Sequence, residues 1–216
     1  MSRIDRLRRL RWRTVRRRIA DERRARMHSA VTARTLTPPP PQAFAAFGNG
    51  SIIVPPARVT MPEAIEIGDG VVIHEHAWIS VVGAVEGHVP KLMIGDGTHI
   101  DRLCHIACVG TIEIQDQVLM GERVLIGDTF HEYEDVTTPV IGQPMAPPEK
   151  ITVERGSYIG LGAMLMPGVT VGEQAYVGAG ALVTADVPPR TVAVGNPARM
   201  MKRYDDERAT WVDVTR

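Results

Sequence analysis

From Val153 onward an aliphatic residue returns every six positions: Val153, Ile159, Leu165, Val171, Val177 and Val183, without a slip. Four residues after each anchor stands a small or β-branched residue: Ser157, Ala163, Val169, Ala175, Ala181 and Val187. Glycine follows three anchors directly, at Gly160, Gly172 and Gly178. Earlier registers repeat the pattern. They run Ile114, Met120, Ile126 with Val118 and Val124; Ile94, Ile100, Ile106 with Thr98, Cys104 and Gly110; and Ile67, Ile73, Ile79 with Val71 and Ala77. Neither a helix nor an alternating strand has a period of six. A triangular coil does, with three hexads closing a turn of about 18 residues. The anchor points inward and stacks on its equivalents in the neighbouring coils, the offset residue is small to fit near the corner, and glycine serves where the backbone takes angles closed to other residues. A sandwich of short strands gives no such unbroken spacing. The fold class is therefore all-β, a hexapeptide solenoid.

Two stretches interrupt the repeat, residues 81–92 and residues 131–150, the second rich in proline and acids. A long loop thrust out of a regular solenoid adds nothing to the stacked core, so it points to function. Ahead of the solenoid, residues 1–36 carry 13 arginines against Asp5, Asp21 and Glu22, while the whole chain has net charge zero, so a basic arm is joined to an acidic body. Ile4, Leu7, Val15 and Ile19 share a helical face in this arm, with Trp12 at its edge. Pro38-Pro39-Pro40-Pro41 mark an extended linker. The expected organisation is a basic amphipathic helical arm over 1–36, a linker over 37–50, the solenoid over 51–197, and a C-terminal tail over 198–216 with a short helix.

Composition narrows the chemistry. Aromatics are only 5% of the 216 residues, as thin aliphatic layers require. Cys104 and Cys108 are too few for a disulfide framework and complete no zinc pattern; they read as small buried residues of a reduced protein. No apolar run reaches the ~18 residues of a membrane span, and no apolar signal core opens the chain. The expected compartment is the cytoplasm, with the arm a candidate for peripheral contact at the inner membrane face; a docking surface for a partner enzyme and a solvated segment are its other readings. Nucleic acid is not an expected partner, because the body is acidic and no reader motif is present.

Four segments then carry a resemblance: Ile126-Gly-Asp-Thr-Phe-His131-Glu-Tyr-Glu-Asp; Ser157-Tyr-Ile-Gly-Leu-Gly-Ala-Met-Leu-Met-Pro-Gly; Val177-Gly-Ala-Gly-Ala-Leu-Val-Thr-Ala-Asp-Val-Pro-Pro; and Gly195-Asn-Pro-Ala-Arg199. In order and spacing they resemble the hexapeptide-repeat acyltransferases, nearest to the sugar and polysaccharide O-acetyltransferases of maltose type and their xenobiotic acetyltransferase relatives. The resemblance implies a left-handed parallel β-helix, an exception to the right-handed crossover rule. It also implies acetyl transfer from acetyl-CoA to a hydroxyl of a sugar, polysaccharide precursor or glycolipid, and a homotrimer with shared active sites. His131, at the root of the long loop, matches the family's catalytic base; an imidazole with its ordinary pKa near ~6.5 is free to accept a hydroxyl proton at neutral pH.

By the same resemblance Leu161, Ala179, Thr184, Ala185, Arg199 and Lys202 match CoA contacts, the two bases suiting its phosphates. Asp101 stands where the sugar enzymes place an acceptor-contacting Asn, and Asp128 is a candidate to orient His131. Tyr158 and Ala185 replace the family's usual Trp and Lys. No metal is expected. The competing readings are N-acylation of an amino sugar, a γ-type carbonic anhydrase built on His99, His105 and His131, and a catalytically silent scaffold. The six-residue step from His99 to His105 departs from the carbonic anhydrase spacing.

Overall fold

The computed structural model describes residues 36–83 and 85–214; the basic arm expected over 1–36 lies outside them except for Leu36. Short parallel strands form three sheets, which are the three faces of a left-handed β-helix. On the first face lie Ala46–Phe47, Ile65–Ile67, Lys91–Ile94, Thr111–Ile114, Ile151–Val153 and Thr170–Val171. The second face runs from Ile52–Ile53 to Tyr176–Val177 and then Thr191–Val194; the third runs from Arg58–Thr60 to Leu182–Val183.

The anchors do what their period predicts. Ile67, Ile94, Ile114, Val153 and Val171 pair in sequence across the first face, all buried. Ile73, Ile100, Met120, Ile159 and Val177 do so on the second face. Each face thus contributes one aliphatic layer per coil, and contact between layers supplies the burial. Among the described residues no helix is long and apolar enough to cross a membrane.

The register shows where the repeat is broken. Phe47 pairs with Ile67, Ile67 with Ile94, Ile94 with Ile114, Ile114 with Val153 and Val153 with Val171, steps of 20, 27, 20, 39 and 18 residues. Of these coils only the one from Val153 to Val171 is a pure triple hexad. In every other coil the anchors of the three faces remain six apart, so all the extra residues fall at one corner, between the third face and the first. Both interruptions read from the sequence leave the solenoid there.

Three expectations are corrected. Gly160, Gly172 and Gly178 do not supply unusual backbone angles: positive φ falls instead on residues such as Gly156, Gly162 and Gln174. Their role is close approach, since a Cβ on Gly160 would lie 2.6 Å from the Ala179 nitrogen in the next coil. The stretch expected to be a linker over 37–50 already enters the solenoid, because Ala46–Phe47 pairs with Glu66–Ile67. The C-terminal segment is a strand hairpin rather than a short helix. Arg199–Asp205 pairs antiparallel with Thr191–Val194, and Thr210–Asp213 pairs with Arg199–Asp205. The open edge of the second face offers unpaired backbone groups, and a strand satisfies them where a helix satisfies only its own.

Candidate active site

The long loop connects Leu125–Gly127 on the third face to Ile151–Val153 on the first. It is a hairpin with bonded legs. The Thr129 hydroxyl donates to the Ala146 carbonyl (2.6 Å), the Ala146 N–H donates to Phe130 (2.9 Å), His131 forms an antiparallel bridge with Met145, and the Glu132 N–H donates to Pro144 (3.0 Å). At the tip, the buried side chain of Gln143 donates to the carbonyls of Asp135 (3.0 Å) and Thr138 (2.8 Å) and accepts from the Asp135 N–H (3.2 Å). His131 is an exposed residue in the outgoing leg, four positions beyond the strand Leu125–Gly127.

Asp128 marks the start of that leg and is fully buried. Its carboxylate accepts from the backbone N–H groups of Val109 (2.9 and 3.2 Å) and Gly110 (2.8 Å), so it is directed at the preceding coil rather than serving as the orienter expected for His131. Burial pushes its pKa up, and the amide hydrogen bonds oppose that shift.

The other expected site residues fall into two places. Asp101, Leu161 and Ala179 lie on the corner between the second and third faces. There the Asp101 carboxylate accepts from the Arg102 N–H (2.7 Å), and the Gly180 N–H reaches the Leu161 carbonyl (2.8 Å). Arg102 is paired with Glu122 on the same corner. Leu161 and Ala179 are exposed one coil apart. Ala185 and Arg199 line a cavity of about 820 Å³ at the C-terminal end of the solenoid, with Met200, Met201 and Val214 as apolar wall. Thr184 adjoins Ala185, and Lys202 pairs with Asp213 (3.3 Å), which also lines the cavity. Asp186 on that wall accepts from the Thr170 N–H (2.7 Å). The cavity therefore offers apolar surface and one guanidinium, beside two carboxylates that each already hold a donor.

His99 and His105 project from different faces, the second and the third. His105 stacks on Trp78 (4.2 Å between centroids, 4° between planes), with the Arg58 guanidinium 5.0 Å from the Trp78 centroid. Among the described residues, His105 Nε2 is the buried side-chain nitrogen without a hydrogen-bond partner, and burial pushes the His105 pKa down. Cys104 and Cys108 are buried free thiols, pushed up to about 11 and about 12 by burial, and hence inert at neutral pH. The Gln143 tie and the Trp78–His105 column were not read from the sequence; each depends on contacts between residues whose types carry no signal on their own.

The family described as the hexapeptide repeat of succinyl-transferase matches residues 150–185, the stretch containing the unbroken anchors. The chain is similar to hexapeptide-repeat acyltransferases. Among curated hexapeptide-repeat relatives, a putative acetyltransferase of Schizosaccharomyces pombe is 36% identical over 104 residues, which is 48% of this chain and 49% of the relative. The galactoside O-acetyltransferase of Escherichia coli is 32% identical over 121 residues, 52% of this chain and 57% of the relative. The chain thus spans about half the length of these relatives. Among solved hexapeptide-repeat folds, the Bacillus cereus N-acyltransferase AntD, determined in complex with dTDP and 3-hydroxybutyryl-CoA, superposes with a TM-score of 0.65 at 22% identity, covering 77% of this chain and 87% of that one.

Proposed function

We propose that the chain transfers an acetyl group from acetyl-CoA to a hydroxyl of a sugar, polysaccharide precursor or glycolipid, with His131 as general base. The observation that carries this reading is the placement of His131 on a hydrogen-bonded hairpin leaving one corner of the solenoid. The galactoside O-acetyltransferase relative supports hydroxyl acylation. In the proposed reaction the imidazole removes the acceptor hydroxyl proton as that oxygen attacks the thioester carbonyl. The tetrahedral adduct then collapses, the carbon–sulfur bond breaks, and the imidazolium returns the proton to the leaving thiolate.

For acetyl-CoA, the exposed Leu161 and Ala179 corner suits the pantetheine arm, and the cavity holding Ala185 and Arg199, with Thr184 and Lys202 beside it, suits the nucleotide end. Asp101 is the proposed acceptor contact on that same corner. The outward side of the second face supports a homotrimer. It exposes Ile52, Leu119 and Tyr176, with the Tyr158 and Tyr176 rings 4.7 Å apart, whereas the first face presents the pairs Lys91–Glu66 and Lys150–Glu113. A cytoplasmic enzyme whose basic arm rests on an anionic membrane would meet a lipid-linked acceptor there.

The test is acetyl transfer from acetyl-CoA to a panel of sugars, glycolipids and amino sugars, with the product then treated with alkaline hydroxylamine. An ester cleaves and an amide survives. A hydroxylamine-labile product that the His131→Ala variant does not form is expected; a stable product formed only on amino sugars would replace O-acylation by N-acylation, the reading that the nucleotide-bound AntD structure favours.

A further inference from the structure

Asp128 is the point at which a coil becomes the loop, and three chain segments meet on it. Its carboxylate holds the Val109 and Gly110 amides of the coil before. Its own N–H donates to the Ala107 carbonyl (3.3 Å) in that coil, and its carbonyl accepts from the Glu149 N–H (2.8 Å), where the return leg rejoins the solenoid. The return leg is pressed close here, since a Cβ on Gly110 would lie 2.8 Å from Pro148. One fully buried acid thus ties the corner below, the outgoing leg and the returning leg together.

A carboxylate is expensive to bury without a cation. The arrangement that makes burial tolerable is the one present, with both oxygens accepting from amides that would otherwise be orphans under the loop, since Val109 and Gly110 are themselves buried. A purely apolar residue at 128 would fill the space and leave two buried N–H groups without acceptors. The acid is therefore matched to the corner, and the corner to the loop.

We propose that Asp128 is the positioning residue of the His131 loop: it clamps both legs to the Val109–Gly110 corner, so that His131 is presented on a pre-built arm and not on a lid that closes over substrate. In its catalytic consequence this rests on the reading of His131 as base. Asp128 acts through the backbone, three residues upstream, and touches no reacting atom. Beyond the clamp the rungs at Thr129, His131 and Glu132 continue the register that Asp128 sets, and Gln143 closes the far end. The arm is thereby fixed at root and tip, with His131 between.

The experiment is hydrogen–deuterium exchange on the full-length chain, comparing wild type, Asp128→Ala, Asp128→Asn and Gln143→Leu. In Asp128→Ala, amides over 128–150 are expected to exchange at least about tenfold faster while those over 158–183 are unchanged, because local opening and global unfolding are separate events. Asp128→Asn keeps one acceptor oxygen and should fall between, and it carries the test if the alanine variant fails to fold. Gln143→Leu should loosen 133–142 and leave 128–131 protected. Unchanged exchange at the root in both Asp128 variants would overturn the proposal, as would faster exchange spread evenly through the coils. In acyl transfer, the Asp128 variants should lose kcat with KM for acetyl-CoA retained; loss through KM alone would also count against positioning. If wild type transfers no acyl group, the base assignment fails by itself and the exchange pattern still decides the clamp.

Discussion

The stacked coils and the 128–150 loop are built on opposite principles. In the coils, the inward positions are mostly aliphatic and buried, and each layer is held by the layers above and below. In the loop, the buried residues among 128–150 are Asp128, Gln143 and Ala146, and the first two are polar groups whose hydrogen bonds hold the backbone in place. The coils are thus sensitive to volume, and the loop is sensitive to the loss of single acceptors and donors. A solenoid supplies a rigid wall cheaply by repetition, but a reactive side chain must stand outside that wall, where no apolar core is available to fix it.

The sharpest break of this contrast is in the coils. Ile126 is fully buried between Ile106 and Leu165, and Ile126→Ala should cost about 2–5 kcal/mol of global stability, read as a lower midpoint in denaturant unfolding. A loss well under that range would mean that the layers are not the main support. Next, Gly160→Ala places a Cβ against the backbone of the adjoining coil. It should cost about 1–3 kcal/mol by overpacking, seen as a fall in Tm, and a neutral result would show that the coils separate easily.

Gln143→Leu should leave Tm close to that of wild type, because opening of the loop tip is a local event separate from global unfolding, while limited proteolysis cuts the loop tip faster. A large drop in Tm would show the loop to be part of the cooperative unit. The smallest effect is expected at His105. Its pKa is depressed on folding, so the stability tied to its neutral form is complete above the unfolded value of about 6.5 and is lost as pH falls through the lower folded value. His105→Phe keeps a ring against Trp78, and its Tm should decline less than wild type on acidification from neutral pH. Identical declines would remove His105 from the account.

Much of the solenoid was legible because its requirements are local and repeated. Val153 to Val183 announce the coil by spacing alone, and the two interruptions follow from where that spacing stops. The placement of every insertion at one corner emerged only from the strand register. The tail was misread because Arg199–Asp205 gains its partner from Thr191–Val194 at an open sheet edge, a non-local condition that composition does not encode. His131 was singled out by family resemblance and by its place at the root of the loop. Asp128 was singled out for its nearness in sequence to His131, yet its side chain points to Val109 and Gly110, a corner 18 and 19 residues earlier. Proximity along the chain revealed the residue and concealed its partner, since in a coil the neighbour that matters lies one turn away.

The central claim is best tested by measuring acetyl-CoA binding calorimetrically and acetyl transfer side by side for wild type and His131→Ala. Binding by both proteins, with transfer reduced about 10²–10⁴-fold in the variant, is the predicted result. Transfer by His131→Ala at the wild-type rate, or no acetyl-CoA binding by either protein, would contradict it.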